Sequence, residues 1–147
     1  MDEIISRKSE DALSQNLGRS HALICQGSFS QARELLHDIL DKGSKNGTAY
    51  MLLGYCAIAE GKHGEAVEWY RKGLEKEPGN SALLVLLGEA LFMDQKHQEA
   101  KEILIGVIKQ RRSAINVKLA RALIEAAHLG VYENEFGSQN YENRQNE

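Results

Sequence analysis

Residues 54–80 read GYCAIAEGKHGEAVEWYRKGLEKEPGN and contain two helical patterns separated by a turn at Gly61. The second pattern is closed by Pro78, because proline cannot continue a helix. Small residues stand where the two helices would cross, since Gly54 and Ala66 allow the helix axes to approach closely. The stretch therefore predicts a helix-turn-helix unit.

This unit recurs with a period of 34 residues. Ala66 is matched by Ala32 and Ala100, and Gly54 is matched by Gly88. Self-similarity at such a fixed period is the sequence signature of a helical repeat array. The predicted repeats span about residues 13–46, 47–80 and 81–114.

The two ends of the chain differ from the repeats. An apolar helical stripe over residues 113–129 predicts the capping helix that terminal repeats require, which closes a repeat domain of residues 10–130. We expect residues 1–9 to be a flexible N-terminus and residues 131–147, which are rich in Asn, Glu and Gln, to be a flexible polar tail. The predicted fold class is all-α, an α-solenoid of three repeats plus a C-terminal capping helix.

Several helix ends can be predicted from their capping residues. Ser28, followed three residues later by Gln31, predicts a capping box at the second helix of the first repeat. Gly43 is placed to end that helix in the left-handed conformation. Asn80 and Ser113 are expected to cap the helices that follow them.

The composition is that of an ordinary globular protein. Hydrophobic residues make up 42% and charged residues 27%, and 18 basic against 21 acidic residues leave a net charge of −3. This charge is too small to steer a polyanion. No signal peptide is visible, and the longest apolar run, residues 82–88, is far shorter than the ~20 residues of a membrane span. With only two cysteines and no disulfide framework, we expect a cytoplasmic protein with no membrane partner.

The second repeat resembles the tetratricopeptide repeat family. The family pattern of aromatic, Leu-Gly, turn glycine, alanine, aromatic, small residue and proline is matched by Tyr50, Leu53, Gly54, Gly61, Ala66, Tyr70, Gly73 and Pro78. The other repeats depart from it, with Ser20 at the glycine of the first Leu-Gly step and Gln95 at the third turn glycine. The resemblance implies a right-handed superhelix whose first helices line a concave surface. In size and lining, the chain is also similar to the small tetratricopeptide chaperones of bacterial type III secretion.

That resemblance places a set of residues on the concave surface. They are Leu17, His21, Ile24, Met51, Tyr55, Ile58, Val85, Glu89, Phe92, Met93, Leu119 and Leu123. The set is mostly apolar, and it lacks the basic residues with which some family members clamp a carboxylate. We therefore expect a protein partner that offers an apolar helix or extended segment. The same residue types are also typical of a helical core, so for each residue both roles remain open.

Two alternatives concern the occupant of this surface. The chain could act as an assembly scaffold that self-associates through its repeats or capping helix into a homo-oligomer. Alternatively, the aromatic residues Tyr132, Phe136 and Tyr141 of the tail could fold back into the groove and guard it.

No motif predicts catalysis, a cofactor or a metal. His21 and Cys25 lie four residues apart on one helix, but two ligands without a third make a poor zinc site. Phosphate-binding loops and nucleophile elbows are missing from the sequence. The basic residues between 109 and 121 lack interleaved aromatics, so we interpret them as a solvated helix end and expect no nucleic-acid partner. The predicted protein is a non-enzymatic interaction module.

Overall fold

The computed structural model describes residues 1–44 and 46–130, and this part of the chain forms seven helices. They are α1 (Asp2–Cys25), α2 (Phe29–Asp41), α3 (Gly47–Ala59), α4 (His63–Lys76), α5 (Ser81–Met93), α6 (His97–Gln110) and α7 (Ala114–His128). None of these helices is long and apolar enough to cross a membrane. The tail that includes Tyr132, Phe136 and Tyr141 lies outside the described residues, so its predicted role as a guard of the groove stays a prediction.

The helices form two layers. Each of the pairs α1/α2, α3/α4 and α5/α6 packs as a hairpin, and α7 packs on both α5 and α6. Within one layer α1 contacts α3, α3 contacts α5 and α5 contacts α7. We call this the inner layer, and α2, α4 and α6 the outer layer. The predicted all-α solenoid of three helix pairs and a capping helix is confirmed.

The turns inside the three hairpins share one geometry. The backbone enters the left-handed region at the same repeat position each time, with φ of 79° at Gly27, 74° at Gly61 and 63° at Gln95. The amide of the next residue donates to the carbonyl five residues earlier, at 2.8 Å in all three turns. This pattern is a Schellman turn, which satisfies carbonyls at the end of the first helix. Gln95 adopts this conformation although it is not glycine.

Small residues let the paired helices approach each other. A Cβ atom added at Gly54 would overlap the ring of Tyr70, and one at Gly88 would lie 2.6 Å from the side chain of Leu104. In the first repeat the same position holds Ser20, which is fully buried and whose hydroxyl donates to a main-chain carbonyl one turn earlier. The 34-residue period therefore reflects a repeated close contact between α-helices.

Two hydrophobic clusters hold the layers together. The smaller cluster joins α2 to α3 through Leu36, Ile39, Ala49, Leu52 and Leu53. The larger cluster runs from α3 to α7, and its largest fully buried side chains are Tyr70, Leu83, Leu91, Phe92 and Leu104.

The predicted caps are confirmed except at one position. Asn80 and Ser113 accept hydrogen bonds from main-chain amides three residues on, at 3.1 and 3.4 Å, and Gly43 has a φ of 78°. Asn46 also caps α3, since its side chain accepts a hydrogen bond from the amide of Thr48, two residues on, at 2.8 Å; this cap was not predicted from the sequence. The capping box at Ser28 was wrong, because this residue is the N-cap but its side chain makes no cap hydrogen bond. Its ψ of 60° is not extended, whereas the three working caps have ψ between 98° and 119°.

The N-terminal residues 2–9, which we expected to belong to a flexible segment, are helical. Residues 2–9 are the first turns of α1, which is 24 residues long, whereas α3 and α5 have 13 each. No glycine or proline precedes Gly18, and Asp2 and Glu3 lie in the first turn, where negative charge suits the helix dipole. The prediction overlooked that a helix can continue beyond its packed part.

Candidate protein-binding surface

All twelve residues predicted for the concave surface lie on the inner layer. Most of them occupy three repeat positions 34 residues apart, such as the series His21, Tyr55, Glu89 and Leu123. The first helix of each hairpin and the capping helix therefore each contribute residues to the predicted set. Burial divides these residues into groups with different roles.

Four of the predicted residues come together around one small cavity between α3 and α5. The cavity has a volume of about 80 Å³ and is partly open to solvent. Its lining residues are Tyr55, Ile58, Tyr70, Leu86, Glu89, Ala90 and Met93. Tyr55 is 38% exposed, which leaves part of an aromatic ring available at this site. We call these seven residues the α3–α5 pocket.

Sequence reasoning missed three members of the α3–α5 pocket, namely Tyr70, Leu86 and Ala90. Tyr70 belongs to α4 in the outer layer, and it reaches the pocket because Gly54 leaves space for its ring between the helices. The pairing of a glycine with an aromatic residue 16 positions later was the available signal. Nothing in the sequence distinguished Leu86 and Ala90 from ordinary core positions.

Two predicted residues are part of the core. Phe92 is fully buried and Val85 is only 5% exposed, so neither offers an open surface, and their assignment to the groove was wrong. The reason is that α5 packs against α3, α4, α6 and α7 together. A helix with four neighbours keeps only a narrow strip of its surface open.

The remaining predicted residues lie along the inner layer away from the pocket. Leu17 and Ile24 are half-buried against the smaller cluster, and Met51 and Leu123 are half-buried against the larger one. More open positions are found at the two ends of the layer: Leu119 on α7 is 47% exposed, and His21 on α1 is exposed.

Glu89 is the charged residue of the α3–α5 pocket. Its side chain is half-buried, and this burial raises the pKa of its carboxyl group above the ordinary value. Within residues 1–44 and 46–130, no salt bridge includes Glu89. Burial also raises the pKa of Tyr70, and the nearby Tyr55, Glu89 and Cys56 raise it further. The pocket is thus apolar around one weakly solvated carboxyl group.

The structure gathers no metal-binding set in the part of the chain that it describes. His21 and Cys25 approach within 3.9 Å between Nδ1 and Sγ, but both side chains are exposed. No cluster of three or more His, Cys, Asp or Glu residues surrounds a common point among the described residues. In the basic segment, Arg112 donates to the carbonyl of Gly79 at 3.3 Å, and Arg111 is the left-handed C-cap of α6.

Comparison with known families agrees with this architecture. One tetratricopeptide-repeat family model matches residues 17–81, and a second matches residues 57–124. The two matches cover the helices from the repeat part of α1 into α7, so the chain belongs to the tetratricopeptide repeat family. Arrays of this kind are interaction modules that use their concave surfaces for binding.

A solved structure is similar to most of this chain in its fold. The type III secretion translocator chaperone SycD of Yersinia enterocolitica, crystallised as an alternative dimer, superposes with a TM-score of 0.69 at 18% sequence identity. The match covers 81% of this chain and 93% of that chain. A comparison with curated proteins found no match.

Proposed function

We propose that this chain is a non-enzymatic protein-binding module whose inner layer holds an apolar helix or extended segment of a partner protein. The α3–α5 pocket carries this proposal, because it leaves apolar side chains partly open on the inner layer of a packed repeat array. By covering such a segment, the module acts as a chaperone for its partner. The similarity in fold to a translocator chaperone supports this role.

The energies involved are sufficient for a specific complex. Each Leu-sized side chain that becomes buried contributes about 1.5–3 kcal/mol. Association and ordering cost several kcal/mol, so about four anchors yield a surplus typical of micromolar affinity. Tyr55 and Leu119 are open enough to bury additional area when a guest arrives. A short segment is therefore an adequate ligand.

A random 12-residue peptide library displayed on phage tests the proposal. Peptides selected on the immobilised chain are synthesised with a fluorophore, and their affinities are measured by anisotropy. We expect apolar peptides whose affinity falls at least tenfold on Tyr55→Glu and on Met93→Glu. Ile105→Glu is the matched control, because Ile105 is 43% exposed but lies on α6 in the outer layer.

Circular dichroism and thermal melts of all three variants establish that each is folded. Equal loss of affinity in the inner-layer and outer-layer variants would contradict binding at the inner layer. Failure of the library to yield any peptide that depends on Tyr55 or Met93 would reject the proposal.

A second candidate function rests on the N-terminal half of the capping helix α7. Ile115 is 71% exposed and Leu119 is 47% exposed, and they lie one turn apart on α7. Two copies that meet through this face would form an assembly scaffold. Sedimentation velocity from 1 to 200 μM distinguishes the candidates: a dimer that dissociates in Ile115→Glu supports self-assembly, and a monomer at every concentration rejects it.

A further inference from the structure

Glu89 is distinctive among the residues of its repeat position. The same position holds His21 on α1, Tyr55 on α3 and Leu123 on α7, so only α5 brings a carboxyl group to it. The other six lining residues of the α3–α5 pocket are apolar or aromatic. A single acidic group therefore lies among apolar and aromatic side chains.

This carboxyl group has no partner of opposite charge in the described chain. The five salt bridges among residues 1–44 and 46–130 use other acidic residues, although exposed lysines and arginines are plentiful on the surface. A carboxylate that is partly removed from water without a compensating ion pair costs free energy in the folded protein. Part of its desolvation has thus already taken place before any ligand arrives. A cationic guest would therefore have to offset its own desolvation and only the remaining part of that of Glu89.

The size and lining of the pocket restrict the guest to one side chain. A volume of about 80 Å³ is well below the roughly 300–1,000 Å³ of pockets for small-molecule ligands. Lys and Arg combine an apolar stem with a charged tip, so the stem can lie along hydrophobic surface while the tip reaches a carboxylate. Tyr55, which is 38% exposed, adds an aromatic ring to the lining, and aromatic faces attract cations.

We propose that the α3–α5 pocket recognises a Lys or Arg side chain, flanked by apolar residues, of the bound partner segment, with Glu89 pairing with its ammonium or guanidinium group. The inference rests on the proposed function, since it names the chemistry of the segment that the inner layer holds. A wholly apolar guest would cover Glu89 without pairing it, which disfavours such a guest by leaving a buried charge uncompensated. Among apolar segments, the pocket thereby favours those that carry a Lys or Arg residue.

Recognition of Lys or Arg is tested by selecting the peptide library in parallel on three proteins. These are the unaltered chain, Glu89→Gln, and the control Glu68→Gln, in which an exposed glutamate of α4 is neutralised. We expect Lys or Arg to be enriched at least threefold at one position between apolar residues on the unaltered chain and on Glu68→Gln. On Glu89→Gln this basic enrichment is lost, while the apolar enrichment remains.

A pair of synthetic peptides makes the test quantitative. One peptide is a selected Lys-containing sequence, and in the other that lysine is replaced by norleucine, its uncharged counterpart. We expect the Lys peptide to bind the unaltered chain about tenfold more tightly than the norleucine peptide, and the two to bind Glu89→Gln within twofold of each other. Equal binding of both peptides to the unaltered chain would overturn the inference and leave the proposed function standing. If no selected peptide depends on Tyr55 or Met93, the proposed function and the inference both fail.

Discussion

The ring of Tyr70 occupies the space in which a side chain at position 54 would lie. This single relationship connects α4 in the outer layer with α3 in the inner layer, and it also brings Tyr70 to the wall of the α3–α5 pocket. The glycine of the repeat motif therefore serves both packing and the candidate site. Its replacement should affect both.

Gly54→Ala is expected to lower the free energy of unfolding by about 1–3 kcal/mol, because the added methyl group overlaps the Tyr70 ring in a closely packed core. Urea denaturation followed by circular dichroism measures the change. The matched control is Gly106→Ala in α6, where an added Cβ has no neighbour within 4 Å. There we expect a gain of about 0.5–1 kcal/mol from higher helix propensity. Similar effects of the two substitutions would contradict the close contact.

Gln95→Gly is expected to stabilise the fold by about 0.5–1 kcal/mol, since a left-handed conformation strains any residue that has a Cβ. The gain is limited because the contact of the Gln95 Oε1 atom with His97 Nε2, at 3.1 Å, is lost. The reciprocal substitution Gly61→Ala at the equivalent turn should destabilise by about 1–2 kcal/mol. Thermal melts of the two variants should therefore shift in opposite directions, and a shared direction would argue against equivalent turns.

Asn80→Ala is expected to cost about 1 kcal/mol, because the side chain of Asn80 caps α5 through the amide of Leu83 at 3.1 Å. Ser28→Ala is the control at an N-cap whose side chain makes no cap hydrogen bond, and it should change stability by less than about 0.5 kcal/mol. Equilibrium unfolding in urea compares the two. A larger loss at Ser28 would show that the predicted capping box forms in solution.

Glu89→Gln is expected to stabilise the free protein at pH 7, by an amount on the order of 0.5 kcal/mol. Burial raises the pKa of Glu89 above its ordinary value of 4.5, so the folded state binds this proton more tightly than the unfolded chain does. Stability is therefore lost as the pH rises from 4.5 through the raised pKa, and Gln removes that loss. The neighbouring Tyr70, whose pKa is raised by burial, stays uncharged in this range.

Thermal melts of Glu89→Gln and the unaltered chain between pH 4 and pH 8 test this dependence. The difference in melting temperature should grow with pH over the lower part of that range and then level off. Glu68→Gln, at an exposed site, should follow the unaltered chain throughout. A constant offset for Glu89→Gln would mean that its carboxyl group is well solvated.

Much of the architecture could be predicted from residues close together in the chain. The turn at Gly61, the cap at Asn80 and the small residue at Gly54 each act through a local conformation or one helix crossing that recurs every 34 residues. Because these local features recur at the same position of successive repeats, they can be recognised in the sequence, and they place the boundaries of the repeats. The extension of α1 to Asp2 was missed because its first turns do not pack on the core, so the sequence there has no hydrophobic pattern.

The candidate site could be predicted only in part. The resemblance to the repeat family predicted Tyr55, Glu89 and Met93 on the first helices of their hairpins, and these helices form the inner layer. Whether a side chain on that layer is open or buried depends on how many neighbouring helices cover it, and only the packing of α5 against four others decided that Phe92 is core. The place of Tyr70 in the pocket and the weak solvation of Glu89 likewise arise from contacts between separate helices, which a linear pattern does not encode.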